Sequence, residues 1–184
     1  MKLTTARLEL IAGSADLVHA EMHDPLQFAA LLKARVPDNW PPEGNDAESQ
    51  SFFLQNLTGH SEREGWLCWY MIAVDDQTGR TAVGGCGFKG MPSAEGEVEI
   101  GYAVLQQHQR RGYASEAVLA LLGWVFEFDG VHCVVAETVH DNTASIAVLQ
   151  KCGFTRVDEQ PTSGALKFSL NRADHQSHSN SRTE

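Results

Sequence analysis

Residues 109–115 read Gln-Arg-Arg-Gly-Tyr-Ala-Ser and run directly into the apolar stretch "EAVLALLGWVF". This is chemistry for an anion. A helix N-terminus presents unpaired backbone N–H groups and roughly half a positive charge, which suits phosphate oxygens. Gly112 removes the Cβ that would block close approach, Arg110 and Arg111 add formal charge, and Ala114 keeps the first turn slim. No G-x-G-x-x-G follows a strand and no G-x-x-x-x-G-K-[ST] occurs, so dinucleotide and P-loop readings fail. Taken alone, the same residues also fit a surface turn with two solvated arginines. The rest of the chain has to decide.

The elements that must position this turn follow from hydrophobic period. "TARLELIA" alternates as a first strand. Ser14 and Asp16 open a helical stretch, "ADLVHAEMH" then "PLQFAALL", broken near Pro25. Residues 35–45 hold three prolines and a glycine and read as loop, and 46–57 as another helix. "WLCWYMIAV" (66–74) and "RTAVGGCGF" (80–88) make a hairpin, followed by a strand, "GEVEIGYAV" (96–104), with Val98, Ile100, Tyr102 and Val104 on one face. After the glycine turn, Ala114, Ala117, Val118, Leu121, Leu122 and Val125 keep helical spacing. "VHCVVAETV" (131–139) reads as a central strand, "TASIAVLQKC" as a helix stopped at Gly153, and "FTRVDEQ" and "ALKFSLN" as closing strands. This order predicts one α/β domain over residues 1–171, with a polar, disordered tail over 172–184.

Composition narrows the function. The chain has 184 residues, and a net charge of −10 argues against nucleic-acid partners while remaining compatible with a cationic substrate such as an amine. No apolar run approaches a membrane span and the N-terminus lacks a signal-peptide pattern, so a cytoplasmic location is expected, with no membrane partner. Cys68, Cys86, Cys133 and Cys152 are scattered without a C-x-x-C, which predicts reduced thiols and no metal site.

The stretch "EVEIGYAVLQQHQRRGYASEAVLALLGWVF", with "DNTASIAVLQKCGF" downstream, resembles the GNAT superfamily of N-acetyltransferases. "TARLEL" and "EIGYAV" are similar to the branch that contains the ribosomal-protein N-terminal acetyltransferases. The resemblance implies a GNAT-like mixed sheet of about seven strands with flanking helices, splayed between its fourth and fifth strands to admit the pantetheine arm of acetyl-CoA. It implies that Gln109, Arg110, Arg111, Gly112, Tyr113, Ala114 and Ser115 hold the pyrophosphate. It also implies that Ala103 and Val104 pair with pantetheine through their backbones, and that Asn142 and Ser145 lie against the coenzyme arm. Asn142 fits a plain helix cap equally well.

Direct transfer of the acetyl group to a primary amine is the reaction so implied. An alkyl ammonium, with a pKa near ~10, must lose a proton before it can attack. Glu97 and Glu99 share a strand face, opposite Val98 and Ile100, and either could serve as base; Glu99 lies nearer the splay, and a bulge would reverse that order. The Val104 N–H is the expected oxyanion donor. Many members of that superfamily carry a tyrosine where this chain has Leu149. The resemblance to the ribosomal-protein branch, where a serine takes that part, implies Ser145 as the acid, with backbone bonding as its alternative role. His108 could touch phosphate and His140 borders the slot, while Trp40, Phe52 and Phe53 fall where the family builds its acceptor wall. The acceptor is a protein N-terminus or a small-molecule amine. The rival reading is a CoA-binding regulatory module without catalysis, and the oligomeric state stays open, a homodimer being allowed.

Overall fold

The computed structural model describes residues 1–75, 77, 79–157 and 165–180. Two short strands, β1 (Lys2–Thr4) and β2 (Leu8–Ala12), precede helices α1 (Ala15–His23), α2 (Pro25–Leu32) and α3 (Ala47–Leu57). Strands β3 (Cys68–Asp75), β4 (Gly79–Phe88) and β5 (Glu97–Val104) follow, then α4 (Tyr113–Val125), β6 (Cys133–Thr138), α5 (Thr143–Lys151), β7 (Thr155–Val157), β8 (Leu166–Asn171) and α6 (Arg172–Asn180). The strands form one mixed sheet of eight in the order β1-β2-β3-β4-β5-β6-β8-β7. Only β5 and β6 run parallel, joined by the α4 crossover.

Helices cover both faces of the sheet. Val118, Leu121, Leu122 and Val125 of α4 are fully buried against Leu8, Met71, Val83, Val98 and Ile100. At roughly 1.5–3 kcal/mol for each large apolar side chain, this stripe anchors α4 and so fixes the position of its N-terminus. On the other face α1 and α2 pack Leu17, Ala20, Phe28 and Leu32 against Tyr70, Ile72 and Ala82. β5 divides accordingly, with Val98 and Ile100 buried toward α4 and Glu97 and Glu99 turned to the opposite face.

The expected first strand is β2, and β1 lies ahead of it, which adds a strand to the about seven predicted. The residues between them turn toward α4: the Thr5 hydroxyl donates to Glu116 Oε1 at 2.6 Å and the Arg7 N–H donates to the same oxygen at 2.8 Å. The predicted disorder of the tail is also corrected, because residues 172–180 form α6. Arg172 explains this. It donates to the carbonyls of Phe126 at 2.6 Å, Val131 at 3.0 Å and Phe128, and its guanidinium carbon lies 5.7 Å from the centre of the Phe126 ring. A cation at the C-terminal carbonyls of α4 is favoured by the helix dipole. The "DEQ" of the predicted strand 154–160 lies outside the described residues.

Candidate active site

β5 and β6 are paired at Glu97–Cys133, Val98–Val134 and Glu99–Val135 and no further. Yet β5 continues to Val104, and β6 keeps its ladder to β8 as far as Thr138. Beyond Glu99 the two strands therefore part, leaving one edge of Ile100–Val104 without a strand partner. The slot opens toward the turn that begins α4.

That turn is a concave stretch of backbone. Arg110 (φ 61°) and Gly112 (φ 82°) are both left-handed, which curls successive N–H groups toward one side. Gly112 is the N-cap and supplies no side-chain acceptor, so the first-turn amides of α4 have no intrahelical partner. A Cβ added at Gly112 would force a strained φ and stand 3.3 Å from Arg7 Nη2. Arg7 braces the turn from beneath, donating to the Arg111 carbonyl at 2.9 Å and lying 5.1 Å from the centre of the Tyr113 ring. Gln109, Arg110 and Arg111 are exposed around it, and Tyr113 and Ala114 are half-buried. Exposed donors, positive charge and a missing Cβ fit a diphosphate. Ser115 is different: at 5% exposure it lies under the turn, with Cys152 Sγ 3.6 Å from its carbonyl, so its side chain is withdrawn from the concavity.

Strand direction sorts the two residues expected to bind pantetheine. The Glu99 carbonyl accepts from Lys89 N and the Leu105 N–H donates to Val83, so odd-numbered residues of β5 turn their backbone groups toward β4. The Ala103 carbonyl duly lies only 2.3 Å from where a Cβ of Gly84 would stand, a crowding that glycine removes. Ala103 thus spends its backbone on β4, against expectation, and Tyr102 and Val104 carry the slot-facing N–H and C=O groups. The Val104 carbonyl accepts from Gln109 Nε2 at 3.0 Å, tying the slot to the anion turn.

The opposite lip of the slot is the start of α5. Asn142 caps it, Oδ1 accepting from the Ser145 N–H at 3.0 Å. The cap role is real, and the Nδ2 group remains for another partner. Ser145 Oγ lies 2.9 Å from the Tyr102 hydroxyl, which is also 3.1 Å from the Ser145 carbonyl. Burial pushes the Tyr102 phenol up to about 12. Tyr102 was read from sequence only as a strand residue; its alternation toward α4 was the available signal. Leu149 is fully buried in the core.

Glu97 and Glu99 face a cleft of about 280 Å³ on the side of the sheet away from α4. Each is met by a lysine: Lys89 Nζ pairs with Glu99, and Lys167 Nζ lies 3.2 Å from Glu97. Glu137 lines the same cleft, opposite Lys167 in the β6–β8 register. Neither lysine nor Glu137 was singled out from sequence, although period-two alternation in "VHCVVAETV" places Glu137 on this face. No register shift interrupts β5 against β4.

The remaining candidates disperse. His108 lines a separate cavity of about 170 Å³ with Arg35, Thr81, Arg111 and Tyr113, its Nδ1 buried without a hydrogen-bond partner. His140 is exposed in the turn after β6. Trp40 packs on Phe28 and Tyr70 beneath the loop that carries it. Phe53 packs into the small α1–α3 cluster and Phe52 is 44% exposed. Burial raises the Cys68 thiol to about 12 and the Cys86 thiol further, the opposite of what a nucleophile needs. Among the described residues no group of three or more His, Cys, Asp or Glu is placed to hold a metal ion, and no helix is long and apolar enough to cross a membrane.

A family model described as acetyltransferase (GNAT) domain matches residues 16–155. The protein named Uncharacterized N-acetyltransferase YjdG, from Bacillus subtilis (strain 168), is 31% identical over 152 residues, 83% of this chain and 88% of its own. The ribosomal-protein-S5-alanine acetyltransferase from Vibrio fischeri is similar in structure, with a TM-score of 0.60 at 15% identity over 95% of this chain and 98% of that one. RimL, a ribosomal L7/L12 alpha-N-protein acetyltransferase solved in complex with coenzyme A, gives 0.62 at 20% identity over 93% and 98%. At such identities the structural likeness is one of fold. A family match across most of the domain, joined to parted strands in front of a glycine-capped helix, makes this chain a member of the GNAT acetyltransferase family.

Proposed function

We propose that this protein transfers the acetyl group of acetyl-CoA directly to a primary amine, on a small molecule or a protein N-terminus. The observation that carries the reading is the strand pair β5–β6, which stops pairing after Glu99 in front of the concave turn at Gly112. In this reading the turn and Arg110–Arg111 hold the diphosphate, and the unpaired edge at Tyr102 and Val104 receives the pantetheine as an added strand would be received. The thioester then lies between the lips of the slot, with the Val104 N–H directed at the carbonyl oxygen that becomes the oxyanion.

The amine arrives from the face that carries Glu99. Glu99 takes its proton, directly or through water, and the free amine attacks the thioester carbon. The tetrahedral intermediate gives up the second proton on its nitrogen to water and collapses to the amide. The expelled CoA thiolate takes a proton from Ser145, which regains one through the Tyr102 hydroxyl, or leaves as the anion, thiol pKa values being near ~8.5. The half-exposed side chain of Glu99, at 26%, and its lysine partner support a residue that reaches both solvent and substrate.

The reading is tested by release of free thiol from acetyl-CoA across a panel of amines, with the acetylated product identified by mass spectrometry. Gly112→Val should weaken coenzyme binding by about tenfold or more while the fold remains, because it fills the turn with a side chain that φ +82° does not admit. Saturable CoA binding without thiol release for any amine would favour the regulatory module instead.

A further inference from the structure

The sheet face that carries Glu99 also holds a carboxylate that the transfer chemistry does not use. Glu21 of α1 accepts hydrogen bonds from the Tyr70 hydroxyl at 2.8 Å, Trp40 Nε1 at 2.8 Å and Asn45 Nδ2 at 2.9 Å. All three donors are neutral, as is the Gln50 side chain that also hydrogen-bonds to Glu21. Among the described residues no Lys, Arg or His forms an ion pair with it. Burial drives the Glu21 carboxyl above its ordinary range, against the pull of those hydrogen bonds. A carboxylate taken this far out of water normally has a cation beside it, because desolvation without a countercharge costs several kcal/mol (roughly).

A second acceptor in the same cluster is also unmet. Asn45 Oδ1 is buried and has no hydrogen-bond partner among the described residues. Trp40 and Tyr70, whose N–H and hydroxyl reach Glu21, pack with Phe28 in one ring cluster with centroids 5.1–6.3 Å apart, and Trp40 is half-exposed. One negative charge, one spare carbonyl and electron-rich ring faces are the complement of an ammonium or guanidinium group.

The cluster stands in line with the slot. Tyr70 is paired with Gly85, and Gly85 with Ala103, so the three share one face and one row of the sheet. Two strand spacings put Tyr70 about 10 Å from β5. The row between them is bare: Gly85 has no side chain, and a Cβ on the neighbouring Gly101 would meet nothing within 4 Å. A chain-like acceptor could lie along this row with one end at the parted strands and the other at Trp40.

We propose that Glu21, with Asn45 Oδ1 and the rings of Trp40 and Tyr70, receives a second positively charged group of the acceptor, at the far end of the row that begins at the parted strands. The acceptor class is then dicationic: a diamine, or an amino-terminal residue followed by Lys or Arg. This rests on the transferase reading given above, whose amine site it extends.

The test compares α,ω-diaminoalkanes of stepped length with monoamines of matching length, using thiol release by the full chain. A parallel arm compares peptides whose second residue is Lys with the same peptides carrying norleucine. The expected result is an optimum at one intermediate diamine length, with kcat/KM about tenfold or more above the matching monoamine, which is about 1.4 kcal/mol. The arm with the larger preference identifies the source of the second charge. Glu21→Gln should reduce that ratio to about one, mainly through KM, whereas a purely structural role would lower both substrates alike and leave the ratio intact. Wild-type protein alone can overturn the proposal, by turning over mono- and dications equally in both arms. If no amine is turned over, the transferase reading fails separately; calorimetric titration of diamines and monoamines into CoA-loaded protein then decides this one, equal affinities refuting it.

Discussion

Asn39 and Gln107 exchange two hydrogen bonds through their side-chain amides, Nδ2 to Oε1 at 2.9 Å and Nε2 to Oδ1 at 2.8 Å. Asn39 belongs to the proline-rich loop that carries Trp40, and Gln107 to the 3-10 turn that leads into the glycine turn of α4. The proposed acceptor wall and the proposed coenzyme turn are therefore fastened directly to each other. Asn39→Ala and Gln107→Ala should each weaken CoA affinity only modestly, and the double variant no more than either alone. The coupling energy, read by calorimetry in a double-mutant cycle, should be about 0.5–1.5 kcal/mol; additive losses would show the clasp to be idle.

Glu99 and Glu97 should separate in kinetics. Glu99→Gln removes the proposed base next to the gap, so kcat at neutral pH should fall about 10²-fold. The loss should shrink as pH rises toward ~10, where the amine loses its proton unaided. Glu97 lies on the paired part of β5, with a 43% exposed side chain held by Lys167, so Glu97→Gln should cost about threefold or less. Equal rates for wild type and Glu99→Gln across the whole pH profile would remove Glu99 from the mechanism.

The Tyr102–Ser145 contact joins the two lips of the slot. With its phenol pushed up to about 12, Tyr102 keeps its proton throughout the neutral range and can re-supply Ser145. Tyr102→Phe and Ser145→Ala should each lower kcat about tenfold, and the double variant should be no slower than the slower single one, because both act on one proton path. Multiplying losses would assign the two residues independent roles.

Local signals made the coenzyme side readable in advance. The apolar period of α4, the glycine at its mouth and the asparagine cap of α5 are each specified within a few residues, and the structure returns all three. The acceptor side depends on register instead. Lys89 and Lys167 come within reach of Glu99 and Glu97 only after β4, β5, β6 and β8 have aligned, and no short window contains that alignment. Glu21 is the extreme case, since in sequence it is one acid of an amphipathic helix, and its proposed role rests on there being no cation paired with it among the described residues after folding. The helix at Arg172 was missed for a related reason: its polar composition predicts disorder, and the carbonyls that hold Arg172 belong to residues 126–131.

Glu116 carries the clearest pH dependence of stability. Burial acts to raise its pKa, but hydrogen bonds from the Thr5 hydroxyl at 2.6 Å, and from the Arg7 N–H and Nε at 2.8 Å each, outweigh it and leave the carboxyl below its ordinary value of 4.5. The native state thus holds this proton less tightly than the unfolded chain does. By linkage the resulting stability is fully present above pH 4.5 and is lost as pH falls through the lower native value. Glu116→Gln should therefore be less stable than wild type at pH 7, by about 1 kcal/mol once the solvent screening of half-exposed Arg7 is allowed for. Denaturant midpoints measured stepwise toward pH 3 should show the two proteins converging. Because Arg7 also holds the Arg111 carbonyl, the same variant should weaken CoA binding at neutral pH. A stability gap that stayed constant with pH would mean that Glu116 contributes by packing alone and that its charge does not brace the turn.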